Sequence, residues 1–348
     1  MKKNKATNKE RSGIIAVVVG QSITPLSFEG AVDIKTAKSL PIYSAVLPKY
    51  KMVSEKTGRV AGRTVNVRIR AFPPDNVLVE VHLALNNPFH AKTHQLRDEL
   101  LVFAEQELRK QNVREGFKEE YAIFTVAGYH GSPERYLRYR REIVGLIRSE
   151  NIPLSTREVE DTIRDSSLQY TANDLAIVDW DGAFLFDPKG GWQETIDLLE
   201  VANVHLLRLR VLDRELDERL GQLSMFLTTL SQKKPSRSAI QKQMAKILRL
   251  QTVSVAEFTH AGRDIQLIGD WYAAKLYTLI SKKFHLDEWR AGLREELDNL
   301  RTLTHTAAEH FGVSAQTRAE FVEIALWLLL AVGYIFIFFL DARNALGG

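Results

Sequence analysis

Two short stretches of the chain hold residue types able to do chemistry. In Asp179-Trp180-Asp181-Gly182 two carboxylates lie two positions apart. On a strand that spacing sets both on one face, and paired carboxylates are hard oxygen ligands for a divalent cation. The same residues lie between the apolar runs Leu175–Val178 and Ala183–Phe186. Asp-Gly between such runs is a hairpin signal, because glycine accepts positive φ. The turn is the preferred reading, and a metal or acid–base role for Asp179 and Asp181 is the alternative. The second stretch, Gly128-Tyr129-His130-Gly131-Ser132-Pro133, follows a strand and opens a helix. Free N–H groups at a helix start can hold an anion, which makes Ser132, Arg135 and Arg138 candidate phosphate ligands. An ordinary capped loop is the preferred reading, since the Gly-Lys-Ser/Thr ending of a P-loop and the spacing of a dinucleotide fingerprint are both missing.

Other chemistries find less support. The chain has no cysteine, which excludes a disulfide framework, a thiol nucleophile and a zinc knuckle. His305 and His310 are five apart and fall off a common helical face. His205 and His260 sit in leucine-rich helices and read as core or interface residues. There is no His-Glu-x-x-His and no Gly-x-Ser-x-Gly. No catalytic residue and no cofactor is therefore expected.

The elements that must position these residues read as α/β over 13–190. Strands are expected at Ile14–Val19, Thr64–Phe72, Val77–Leu85, Tyr121–Ala127, Leu175–Val178 and Ala183–Phe186. Thr64–Arg70 alternates Val65, Val67 and Ile69 with Asn66, Arg68 and Arg70. That period predicts one buried face and one wet, basic face, so Arg63, Arg68 and Arg70 are expected to meet an acidic partner. Pro73-Pro74-Asp75-Asn76 should turn this strand into the next. Helices are expected over His94–Lys110 and over Ser132–Arg148, the latter with Ser132 as N-cap and Pro133 at the first position. The alternation suggests a small α+β sandwich of ferredoxin-like kind.

Beyond 190 the pattern changes. Positions 209, 212, 216, 219, 223, 226 and 230 follow a heptad filled by Leu, Leu, Leu, Arg, Leu, Phe and Leu, as in a coiled coil or bundle. Lys233-Lys234-Pro235-Ser236 breaks it, and helices follow over Ala239–Lys283 and Leu286–Phe311. From Ile324 to Leu340 there is neither charge nor proline, a length near that of a bilayer core. Ile324, Trp327, Leu330, Tyr334, Phe338 and Leu340 are expected to line a membrane anchor. The expected organisation is a basic flexible tail (1–12), an α+β domain (13–190), an all-α helical bundle or coiled coil (191–312), and one C-terminal transmembrane helix with a short tail (313–348).

Charge is uneven along the 348 residues: 1–70 hold 14 Lys and Arg against 4 Asp and Glu, within a net charge of +4. Lys2, Lys3, Lys5, Lys9 and Arg11 form a solvated tail that can contact acidic lipid or RNA. No aromatic residue interleaves with them, so base stacking is not expected. The run Ile14–Val19 is too short for a signal peptide.

The order of parts resembles the required-for-meiotic-nuclear-division family. The resemblance is carried by the leucine-rich helix Leu198–Leu230, the basic break Lys233–Arg237, the helix Ile240–His260, Asp270-Trp271-Tyr272, and the helix Trp289–Phe311 before the last apolar run. It implies a membrane-anchored protein and brings no catalytic motif. The segment Glu200-Val201-Ala202-Asn203-Val204-His205 departs from the Ser-His-Ala opening of that family. A magnesium channel of the CorA type shares an α/β domain followed by long helices, but it carries two membrane helices and a Gly-Met-Asn that this chain lacks.

The expectation is a tail-anchored, single-pass membrane protein with its body in the cytoplasm or an organellar matrix. It would act as a non-enzymatic scaffold or adaptor that self-associates or recruits a protein partner. The alternative is a membrane-anchored enzyme acting on a phosphorylated substrate or nucleotide, and a CorA-like channel comes third.

Overall fold

A computed structural model describes residues 10–32, 49–232, Lys242, Ala245 and 271–302. Two compact units divide these residues. The first takes 1–215 with 256–293, and the second takes 216–255 with 294–348.

The first unit is built on a mixed eight-stranded sheet. Its strands are β1 (Arg11–Ser22), β2 (Lys51–Val60), β3 (Arg63–Phe72), β4 (Asn76–Leu85), β5 (Val113–Ala127), β6 (Ser167–Leu168), β7 (Leu175–Val178) and β8 (Gly182–Phe186), in the order β2-β3-β4-β1-β5-β8-β7-β6. Its one parallel pair is β5–β8, and the others are antiparallel. The run Ile14–Val19 explains the centre. All six residues are buried, so β1 is covered on both faces and cannot alternate apolar with polar residues.

One face carries the main core. Ile14, Ala16 and Val18 of β1, Val79 and Val81 of β4, and Ala122 and Phe124 of β5 pack with Leu100, Ala104 and Leu108 of helix α1 (Thr93–Arg109). Each valine, leucine, isoleucine or phenylalanine among them, fully buried, contributes about 1.5–3 kcal/mol. Phe89, Phe124, Phe184 and Tyr139 stack beneath it. Helices α2 (Arg140–Ile147) and α3 (Thr156–Ser166) cover the β8 and β7 side. The opposite face receives the first part of α4 (Gln193–Gln232) and helix α5 (Trp271–Lys283). Arg208 of α4 donates to the Pro73 carbonyl at 2.9 Å. Phe284, just after α5, meets Tyr121 edge-on at 5.3 Å.

Several expected elements form where the pattern placed them. The turn Pro73-Pro74-Asp75 joins β3 to β4, whose ends pair at Phe72 and Asn76. The helix expected over Ser132–Arg148 is two pieces, a 3-10 helix Pro133–Tyr139 and α2. The strand β2 was not expected. Its sequence, Lys-Met-Val-Ser-Glu-Lys-Thr-Gly-Arg-Val, lies at the sheet edge with one buried residue, Val60. Such a strand has no core face to impose an apolar alternation.

The expected fold class does not stand. The sheet is larger than a ferredoxin-like one, and its strand order differs. The heptad leucines do not build a coiled coil within the first unit. Leu209 and Leu212 are buried there, on a helix tied to the sheet through Arg208 and Arg210. The same helix also meets α5, where the Tyr277 hydroxyl lies 3.0 Å from His205 Nδ1. The closing transmembrane helix is also corrected: among the described residues no helix is long and apolar enough to cross a membrane. The long helix α4 repeats acidic and basic residues along its length. Ile324, Trp327, Leu330, Tyr334, Phe338 and Leu340 lie outside the described residues, as do the tail lysines Lys2, Lys3, Lys5 and Lys9.

Candidate binding groove

The α4 side of the sheet is covered at one end and open at the other. Strand alternation puts Asn66, His82, Gly13 and Thr125 on this face, beyond the reach of α4. Register lines up Asn66, His82 and Ile15 in one row, and Ala84, Gly13 and Thr125 in the next. The floor is low because its residues are small. A Cβ on Gly13 would come within 3.1 Å of Thr125 Oγ1. The wall is the loop after β8, where Asp187 Oδ1 accepts from the backbone N–H groups of Lys189 at 2.6 Å and Gly190 at 3.1 Å. Trp192 closes that side. The result is a groove of about 360 Å³, also lined by Arg11 and Lys189.

Two features give the groove its polarity. Arg11 and Lys189 are exposed, and no ion pair ties either to another described residue. His82 lines the groove with its Nε2 held 2.7 Å from Glu80 Oε2.

Beneath His82 lies a buried ion cluster. Arg70 on β3 contacts Glu80 at 2.6 Å, Asp197 at 3.3 Å, and Glu200. Its guanidinium also lies 5.1 Å from the centre of the Tyr50 ring, a cation–π distance. One guanidinium among three carboxylates cannot neutralise all of them, and the shifts divide accordingly. Burial works to raise Glu80, but the His82 hydrogen bond and Arg70 outweigh it and hold this carboxyl below its usual value. Burial wins at Asp197, where Arg70 is farther away, and raises its carboxyl. The cluster therefore clamps α4 to β3 and β4 and also orients His82.

The residues singled out in the sequence fall elsewhere. Arg70 does not belong to a wet basic face: it is 4% exposed, because α4 covers the far half of β3. Arg68 pairs with Glu55 across the strands at 3.1 Å. Arg63 is exposed beside the β2–β3 turn.

Asp179 and Asp181 sit in the β7–β8 turn, where the Asp179 N–H donates to the Gly182 carbonyl at 2.9 Å. Asp179 Oδ2 faces Ser166 at 3.2 Å, Arg148 at 3.3 Å and Lys283 at 3.6 Å. Its charge is met by the protein's own cations. Burial raises the Asp181 carboxyl. Among the described residues no three His, Asp or Glu side chains are placed to hold a metal ion.

Ser132 caps the 3-10 helix by accepting from Glu134 N–H at 3.2 Å. Arg135 bonds Tyr136 Oη at 2.7 Å and the His130 carbonyl at 3.2 Å, and it pairs with Glu10. Arg138 lies over the Tyr139 ring at 4.7 Å. These arginines are engaged with neighbouring side chains of the protein itself. Sequence reasoning missed the groove because its lining comes from β1, β3, β4, β5 and a loop, and no local motif joins them. The one legible signal was Arg11 in the basic N-terminal run.

Residues 52–193, from β2 to the start of α4, match the family model described as the N-terminal domain of the uncharacterized protein MJ0711. The chain is also similar to the uncharacterized protein MJ0711 of Methanocaldococcus jannaschii. Identity is 24% over 318 residues, covering 91% of this chain and 94% of that protein. No solved structure matches.

Proposed function

We propose that this protein is a non-enzymatic adaptor whose α/β unit takes an acidic segment of a protein partner into the groove between Arg11 and Lys189. The observation that carries this reading is a low floor of Gly13, Ala84 and Thr125 flanked by two exposed cations that no described acid neutralises. A carboxylate-bearing extended segment matches that shape and charge. Opposite potentials across an interface raise association rate and specificity, and they do so in a salt-dependent way.

The test uses the full chain and a fluorescent oligoglutamate peptide, with a Gly-Ser peptide as control. Anisotropy should show binding of the acidic probe alone, weakening with added salt. The double variant R11E/K189E should weaken it by about tenfold or more, equivalent to 1.4 kcal/mol. Equal binding by the variant would remove the reading.

One observation favours a second reading, an enzyme. Glu80 orients His82, and His82 lines the groove, an arrangement a general base can use. Replacing His82 with Asn separates the two: an adaptor keeps most of its peptide binding, whereas an enzyme loses turnover of whatever substrate the groove accepts.

A further inference from the structure

The edge strand β2 has a feature independent of the groove. It is the last strand on its side of the sheet, and among the described residues β3 is its one partner strand. Along its outer edge the described residues offer a single bridge, Val32 to Tyr50, just before the strand begins. A strand edge that no other described residue pairs is a template for pairing.

The hairpin geometry shows which groups face outward. Val60 and Arg63 flank a two-residue turn in which Ala61 and Gly62 both have positive φ, at 50° and 73°. Residues flanking such a turn are hydrogen-bonded to each other. Alternation then points the backbone N–H and C=O of Val60, Gly58, Lys56 and Ser54 toward β3, and those of Arg59, Thr57 and Glu55 outward. By the same alternation the side chains of Glu55, Thr57 and Arg59 share one face, and all three residues are exposed.

Antiparallel pairing of this edge with a copy of itself allows a residue to face itself or one an even number of positions away. With Glu55 or Lys56 on the two-fold axis, like charges meet. With Thr57 on the axis, Thr57 faces Thr57, Glu55 faces Arg59, and by symmetry Arg59 faces Glu55. Thr–Thr and opposite-charge pairs are favourable cross-strand neighbours. Lys56 then faces Gly58, and the irregularity between Met52 and Ser54 ends the match. The geometry points to homodimerisation by β2–β2 pairing about Thr57, joining two sheets into one.

Complementary charge variants of the full chain test it. The E55R chain carries Arg at 55 and 59, and the R59E chain carries Glu at both. By light scattering coupled to size exclusion, the wild type should run one association step heavier than either variant alone. A one-to-one mixture of the two variants should recover the wild-type mass. T57P removes an outward N–H and should also lower the mass, while its thermal melt shows the hairpin intact. A monomeric wild type, single variants that keep the wild-type mass, or a mixture that fails to reassociate would each overturn the proposal. A wild-type edge already covered by residues 33–48 would show as the first of these.

Discussion

Two buried titratable residues should pull the stability of the first unit in opposite directions with pH. Glu119 on β5 pairs with Arg210 of α4, yet burial pushes its carboxyl up to about 7 from 4.5. The folded state therefore holds this proton more tightly than the unfolded chain. Its favourable contribution is complete below about 4.5 and is lost as pH rises through about 7. His205 is buried against Tyr277, whose hydroxyl lies 3.0 Å from Nδ1. Burial, with Arg208 and Arg290 adding to it, pushes the imidazole down to about 3 from 6.5. Its contribution is complete above 6.5 and is lost as pH falls toward 3. Urea midpoints measured from pH 5 to 8 should separate the two. E119Q should be more stable than wild type at pH 8 by ~1–3 kcal/mol, with the difference shrinking toward pH 5. H205Q should lose the decline that wild type shows on the acid side. Midpoints that keep the wild-type slope in both variants would show that neither group titrates in this range.

The joint between β3, β4 and α4 depends on the Arg70 cluster. Removing one member of a buried ion cluster leaves charge without compensation and costs about 3–5 kcal/mol, far more than an exposed pair. R70M should therefore destabilise the unit by that amount, because Glu80, Asp197 and Glu200 stay buried around an apolar side chain. R68M, whose partner Glu55 is exposed, should change stability by less than about 1 kcal/mol. Chemical denaturation of both variants checks the contrast. The sequence made the two arginines look equivalent, since they alternate on one strand with identical spacing. They differ because α4, more than a hundred residues later, lies over one and not the other.

Across the first unit, distant parts of the chain complete one core. Phe284 is fully buried against Tyr121, and Lys283 reaches Asp179. The sheet is thus finished by a helix that begins at Trp271, well after its last strand ends at Phe186, and α5 should be needed for its stability. Replacing Phe284 with Ala should cost about 3–5 kcal/mol and lower the melting temperature. An unchanged melt would mean that α5 is a passive neighbour of the sheet.

The sequence by itself determined the local events. Apolar β-branched runs placed β1, β3, β4, β7 and β8, because strand formation follows from short-range patterning on a buried face. The turns at Pro73–Asp75 and Asp179–Gly182 and the Ser132 cap were legible for the same reason, since each is made by residues a few positions apart. Tertiary structure alone decided which faces became dry, which arginine became a buried clamp, and that β2 forms at all. It also decided that small residues from three strands lie side by side as a groove floor. Those outcomes depend on register and on packing between segments far apart in the chain. Neighbouring residues carry no record of either, because the helix that covers a strand exerts its effect through space.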